Sequence, residues 1–233
     1  MKKRIVEVLV VVLLTLMSLS LVGSIGCMGI NEGNLKTKLE MGVAGVAALT
    51  DNHIENCVNM LEVLAATEEV KSRDWEIMLP LLTKADADMI PGPKWFGLPD
   101  GSYYVLGIGK TEKNNADRAY FSVVMSGSNT YSDLIVSRST GEKALVVAVP
   151  IIKEGEVVGI LGTVVFLEDL SDIISEQLKL SDDIVFYAVT AENQVALHTN
   201  TEMIFEDKPE SPENSVSLTA PFTGWRITLG YNN

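Results

Sequence analysis

The stretch Asp117–Phe121, DRAYF, contains the residues of this sequence whose types and spacing are best suited to hold a ligand. Arg118 carries a charge at every relevant pH, and its guanidinium presents a planar pair of donors that matches a carboxylate. Tyr120 and Phe121 follow directly, and rings beside such a contact can cover the apolar part of a ligand and exclude water. The stretch therefore predicts an anion site. The alternative is a structural arginine, stacked on rings or paired with an acid.

Three further residues are weaker candidates for the same pocket, because each lies on or beside a predicted strand: Tyr104, Tyr131 and Asp133. Successive side chains of a strand point to opposite faces, so only one of Tyr103 and Tyr104 can face the pocket, and we assign Tyr104 to it. Each of the three is also compatible with an ordinary core or surface position.

No catalytic motif accompanies these residues. His53 and His198 are far apart in the sequence, which has no Gly-x-Ser-x-Gly elbow, no His-Glu-x-x-His zinc motif and no glycine-rich phosphate loop. The acidic pair Asp86 and Asp88 is typical of a solvated loop, and the two cysteines form no zinc spacing. We therefore expect no enzymatic activity, no cofactor and no metal.

The composition predicts a folded, acidic protein that does not bind nucleic acid. The chain has 233 residues, of which 47% are apolar, and this is sufficient to bury a core. Its 18 basic and 31 acidic residues give a formal net charge of −13. Such a field opposes binding to a phosphate backbone, and the sequence contains no basic patch that would offset it.

The first 26 residues predict an export signal or a membrane anchor. A basic segment, Lys2–Arg4, precedes an apolar run, Ile5–Ile25, that contains a single charged residue. The run reaches the length of about 20 residues that a spanning helix needs, so cleavage and retention both remain open. It ends at Ser24–Cys27, which in part resembles the lipobox of bacterial lipoproteins, and Cys27 is then the predicted site of lipidation. Each outcome places the rest of the chain outside the cytoplasm.

The elements that must position Arg118 are a long helix and a series of strands. Apolar residues three or four apart predict one amphipathic helix from Leu35 to about Val70, and a shorter helix follows over Asp74–Leu82. Turn signals, beginning with Asp100-Gly101, then separate strands that form sequential hairpins, with one further helix over Leu167–Leu178. This order predicts an α+β fold with a long N-terminal helix packed on an antiparallel sheet.

The segment Ser137–Leu170 resembles the Cache family of extracytoplasmic sensor domains, whose sheet is PAS-like. It contains, in the family's order, a Ser-x-x-Thr-Gly element at Ser137–Gly141, an Ala-x-Pro-Ile element at Ala148–Ile151 and a Val-Val-Gly-x-Leu-Gly element at Val157–Gly162. Arg118–Phe121 stands in the place of the family's Arg-x-Trp-Tyr element. The resemblance extends over residues 31–231.

The resemblance implies a sensor of a small molecule, in which Arg118 holds the ligand carboxylate and Tyr120 and Phe121 flank it. Two positions depart from the amino-acid-binding members. Thr111–Asn115 lacks the tyrosine that those members carry before the arginine, and Val164 or a neighbour stands where they carry the aspartate that holds the ligand amine. This favours a carboxylate or another small polar ligand over an α-amino acid.

These observations divide the chain into a signal or anchor (1–26), a long helix leading into the sensor (27–73) and one ligand-binding module (74–233). Because no second apolar run follows the closing strand, we expect a separate partner protein, a receptor or a kinase, to respond to the ligand. The alternative is an anchored extracytoplasmic protein with a structural or interaction role and no small-molecule ligand.

Overall fold

The computed structural model describes residues 32–87, 92–131, 134–138 and 140–231, and those of them from Leu39 onward belong to one compact unit. The helices are α1 (Glu32–Ala65), α2 (Glu68–Lys71), α3 (Trp75–Asp86), α4 (Ala119–Met125) and α5 (Leu167–Leu178), with a 3-10 turn at Thr201–Met203. The strands are β1 (Lys94–Gly97), β2 (Ser102–Val105), β3 (Gly109–Asn114), β4 (Leu134–Val136), β5 (Lys143–Lys153), β6 (Glu156–Phe166), β7 (Ile184–Val189), β8 (Val195–His198), β9 (Ser215–Thr219) and β10 (Arg226–Tyr231). The signal or anchor over residues 1–26 and Cys27 lie outside the described residues.

The long helix forms as the apolar periodicity predicts, but it ends earlier. Buried residues recur every three or four positions along α1, from Leu39 to Ala65. The helix stops there because Thr67 starts a new one, its Oγ1 accepting a hydrogen bond from the amide of Val70. None of the described helices is long and apolar enough to cross a membrane.

The second predicted helix is longer than expected. Asp74 caps α3 by accepting a hydrogen bond from the amide of Glu76 at 3.0 Å, and Pro80 lies inside the helix instead of ending it. Asp86, expected in a solvated loop, is the last residue of α3 and pairs with the buried Lys94 at 2.6 Å. The acid at the end of the helix therefore neutralises a buried cation.

The described strands form two antiparallel sheets. The first has six strands in the order β3-β2-β1-β6-β5-β4, and the second has four in the order β8-β7-β10-β9. The Asp100-Gly101 turn joins β1 to β2 as predicted, with Trp95 opposite Val105. Gly101 is required there, because its φ of +83° is left-handed and an added Cβ would meet Asn114 and Ala116. The predicted α+β class and antiparallel sheet are confirmed, and the division of the strands into two sheets is additional.

The two faces of the six-stranded sheet carry separate cores. One face holds the apolar cluster of Trp95, Tyr103 and Val105, onto which α4 packs Tyr120 and Val124. The opposite face holds Phe96 and Tyr104, whose ring stacks on Trp75 of α3 with centroids 5.2 Å apart. The strand alternation thus separates neighbouring tyrosines, and only the face under α4 adjoins Arg118.

Candidate functional site

A cavity of about 650 Å³ lies where α4 and β4 of the first sheet face two turns of the second sheet. Arg118, Tyr120 and Arg138 line it from the side of the first sheet. The 190–194 turn and the 223–225 turn line it from the side of the second sheet. The volume is in the range of small-molecule sites, and the walls combine charged, polar and aromatic groups.

Arg118 is placed at the mouth of this cavity by its position in the helix. It is the residue before α4, with extended backbone, and its side chain makes no capping hydrogen bond. Its Nη2 donates to the carbonyl of Val136 at 3.2 Å, which directs the guanidinium along β4. A guanidinium has five N–H donors, and among the described residues this is the single partner that they have. The remaining donors are available to an anion in the cavity.

Tyr120, a largely buried residue, contributes a hydroxyl to the same cavity. Its side chain is 3% exposed and tilts against Trp95, with ring centroids 5.8 Å apart. Burial raises the pKa of its hydroxyl, so the group stays protonated. The hydroxyl makes no hydrogen bond to any described residue and is open to solvent in the cavity, so it can donate to or accept from a ligand.

Arg138 is a second cavity arginine that sequence reasoning did not assign, although it lies inside the quoted Ser137–Gly141 element. It already has a partner, because its two terminal nitrogens bond the two carboxylate oxygens of Asp117 at 2.8 and 2.6 Å. The hydrogen bond from Arg138 lowers the pKa of Asp117, which therefore stays ionised. This pair occupies the fork of Arg138, whereas the fork of Arg118 is largely open.

The other described residues that were predicted for the site do not line the cavity at Arg118. Phe121 is partly buried against the cluster beneath α4 and does not line the cavity. Tyr104 lies on the opposite face of the sheet and does not line this cavity, and Tyr103 is the residue on the face of Tyr120. Tyr131 stacks on Phe222 at 4.5 Å and does not line the cavity either. Asp133 lies outside the described residues.

Val164, at the position where the resemblance leads one to expect the amine-holding aspartate, also lies in the cluster beneath α4. It is 7% exposed and apolar. The face that adjoins Tyr120 therefore offers no carboxylate at this position to pair with a ligand amine.

A loop of the second sheet that borders the cavity is held by the long helix. Asp51 of α1 accepts hydrogen bonds from the amides of Phe222 and Thr223 at 2.9 and 3.0 Å, and from the Thr223 hydroxyl at 2.8 Å. Thr223 and Trp225 line the cavity. No local sequence signal could have found Asp51, because its partners lie 171 and 172 residues further along the chain.

Within the described ranges, no group of three or more histidine, cysteine, aspartate or glutamate residues is placed to hold a metal ion.

The sequence matches no family model and no curated protein. The structure, however, is similar to solved sensor domains. The ligand-binding domain of the Pseudomonas fluorescens chemoreceptor CtaA, in complex with L-serine, aligns with a TM-score of 0.70 and 16% identity, over 87% of this chain and 99% of that one.

Two further structures show the same likeness. The ligand-binding domain of the Campylobacter jejuni chemoreceptor Tlp3, in complex with 4-methylisoleucine, aligns with a TM-score of 0.66 and 11% identity, over 86% of this chain and 92% of that one. The sensor domain of the V. cholerae histidine kinase DctB aligns with a TM-score of 0.66 and 11% identity, over 85% of this chain and 97% of that one. The chain thus has the fold of chemoreceptor and histidine-kinase sensor domains, the fold that its resemblance to Cache domains predicted.

Proposed function

We propose that this protein is an extracytoplasmic sensor that binds a small carboxylate in the cavity at Arg118. The proposal rests on one observation. The guanidinium of Arg118, which has a single hydrogen bond to a described residue, lines the same cavity as the hydroxyl of Tyr120, which has none. The guanidinium supplies charge and a planar pair of donors, and the hydroxyl supplies a further hydrogen bond. The solved domains of similar fold that bind amino acids support a role in small-molecule sensing.

The proposed ligand lacks an α-amino group, or leaves it unpaired. Val164 supplies no carboxylate to the face beside Tyr120, and Asp117 is already occupied by Arg138. A positively charged amine in the cavity would lie near two arginines, and Glu192 of the 190–194 turn is the one lining acid that is not already paired with an arginine. Simple mono- and dicarboxylates are the class that this arrangement fits best.

Binding has a direct route to the long helix. The cavity is bounded by both sheets, and Asp51 of α1 holds the loop that contributes Thr223. A ligand that bridges Arg118 and the 223–225 turn favours the conformation in which this loop is docked on α1, and a receptor or kinase partner reads that change.

The test is a thermal-shift screen of one- to four-carbon carboxylates, followed by calorimetry on each compound that stabilises the protein. Arg118→Ala is expected to weaken binding by at least about tenfold, because a charge-assisted hydrogen bond contributes about 1.5–3 kcal/mol. Arg118→Lys is expected to recover only part of the affinity, because a lysine keeps the charge but loses the planar fork.

Arg226→Ala is the matched control. Arg226 is exposed, follows the cavity residue Trp225 and does not line the cavity itself, so its removal changes the net charge equally. Equal losses of carboxylate affinity in Arg118→Ala and Arg226→Ala would show that binding depends on net charge alone, and this would contradict the proposed site. If no carboxylate shifts the wild type, the alternative of a structural or interaction protein without a ligand is favoured.

We also propose that the N-terminal apolar run places this sensor on the outer side of a membrane, through a retained helix or a lipid on Cys27. Mass spectrometry of the membrane fraction separates the two, because lipidation gives a mature chain that begins at a modified Cys27 and a retained helix gives an intact N-terminus. A cleaved chain without lipid, found free of the membrane, would contradict both.

A further inference from the structure

We propose that the second sheet carries a separate site for a small organic cation that bears a hydroxyl or carbonyl oxygen. The site is a cavity of about 620 Å³ between the end of α5, strands β7 and β8, and the segment 199–212. It shares no lining residue with the cavity at Arg118. The proposal is therefore independent of the carboxylate site and goes beyond it.

The central group of this cavity is His198, the last residue of β8. Its side chain is 8% exposed, and its Nδ1 accepts a hydrogen bond from the amide of Asn200 at 2.8 Å. A nitrogen that accepts carries no proton, so in the neutral ring Nε2 is the donor. Burial lowers the pKa of this histidine and keeps the ring neutral. Among the described residues Nε2 has no hydrogen-bond partner and is open to solvent in the cavity, where an oxygen of a ligand can accept its hydrogen bond.

The ring of His198 is held in place by Tyr187 of β7. The two rings stack with centroids 6.1 Å apart and an interplanar angle of 14°. The Tyr187 hydroxyl is in turn hydrogen-bonded to Ser211 at 2.7 Å, which ties the segment beyond residue 206 to the sheet. Tyr187 is only 1% exposed, so the stack fixes the orientation of the His198 ring and leaves His198 as the group that can contact a ligand.

The charge of the lining indicates the sign of the ligand. Asp182 and Glu210 are exposed at the rim, and no lysine or arginine is among the described residues that line the cavity. Because His198 is neutral, no group there compensates an anion. A cation gains from the two carboxylates, and its oxygen accepts the hydrogen bond of His198 Nε2. An amino alcohol satisfies both features.

Calorimetry of the full chain with ethanolamine and with choline tests this site. Both probes carry a positive charge and a hydroxyl, and ethylene glycol serves as the uncharged comparison. We expect both cations to bind the wild type and Arg118→Ala equally, and ethylene glycol to bind neither. The double variant Asp182→Asn/Glu210→Gln is expected to weaken binding of the cations by at least about tenfold, which corresponds to about 1.4 kcal/mol.

The matched control is Glu206→Gln/Glu213→Gln, which removes two exposed acids of the same segment that do not line the cavity. If both double variants weaken cation binding equally, the loss of affinity comes from the lower negative charge of the protein as a whole, and the proposed site is overturned. Loss of cation binding in Arg118→Ala would place the cations in the cavity at Arg118 and would also overturn the proposal. Failure of both cations to bind the wild type at millimolar concentration would overturn it too. Failure here leaves the response to carboxylates unchanged, so the two proposals fail separately.

Discussion

At the scale of single residues, the site depends on side chains whose positions are fixed by close packing. Trp95 lies flat over Gly162 of β6, with its Nε1 only 2.8 Å from where a Cβ on that glycine would lie. The same indole packs against Tyr103 and Tyr120. The glycine of the Val-Val-Gly-x-Leu-Gly element therefore has a physical role, because it makes room for the ring that supports the cavity residue Tyr120.

Gly162→Ala is accordingly expected to destabilise the protein by about 1–3 kcal/mol, the usual cost of overpacking a buried position. Urea unfolding followed by tryptophan fluorescence measures the change. Gly42→Ala is the control, because its Cβ would meet only the flexible end of Leu229 at 3.3 Å and alanine is about 1 kcal/mol better than glycine within a helix. A Gly162 variant as stable as the Gly42 variant would show that Trp95 moves freely.

The sequence predicted the α+β fold, because helices and hairpins show in local spacing, and it named Arg118 and Tyr120, which line one cavity. It could not separate Tyr103 from Tyr104, since alternation permits either and the choice depends on which face α4 covers. It also could not find Asp51, whose partners lie about three quarters of the chain away. Nor did it indicate two sheets, because hairpins of either sheet have the same local pattern.

At the scale of elements, Asp51 is the specific polar contact between α1 and the second sheet. It is 6% exposed, and three hydrogen bonds from Phe222 and Thr223 satisfy its two oxygens. Because the same loop lines the Arg118 cavity, we expect this contact to couple the position of α1 to the shape of the cavity.

Asp51→Asn keeps the size of the side chain but replaces one acceptor oxygen by a donor, which leaves a loop N–H without its partner. We expect a loss of about 1–3 kcal/mol in the free energy of unfolding. Faster hydrogen exchange at the amides of Phe222 and Thr223 and weaker carboxylate binding should accompany it. Glu55→Gln is the control, since it removes an equal charge from an exposed position on the same helix. Unchanged exchange in the Asn variant would show that the loop is held by other contacts.

At the scale of the whole molecule, the response to acid depends on two buried histidines that lie in different elements. His53 on α1 and His198 on β8 each have a pKa lowered by burial, and His53 Nε2 is buried without a partner among the described residues. The hydrogen-bonded carboxyls of Asp100 and Asp117 also have lowered pKa values, but the ordinary value of an aspartate, 3.8, places their effect at lower pH. Asp169 has the opposite shift, a pKa raised chiefly by burial, and it gives a small stabilisation on acidification.

We therefore expect the free energy of unfolding to fall as the pH decreases from 7.5 to 5.5. The unfolded chain takes up protons on histidine near pH 6.5, whereas the folded chain does so only at lower pH, so protonation favours unfolding throughout this window. Urea unfolding at pH 7.5, 6.5 and 5.5 measures the slope, and His53→Gln/His198→Gln is expected to flatten it. A double variant that keeps the wild-type slope would place its origin in the carboxylates instead, and the two buried rings would then titrate as they do in the unfolded chain.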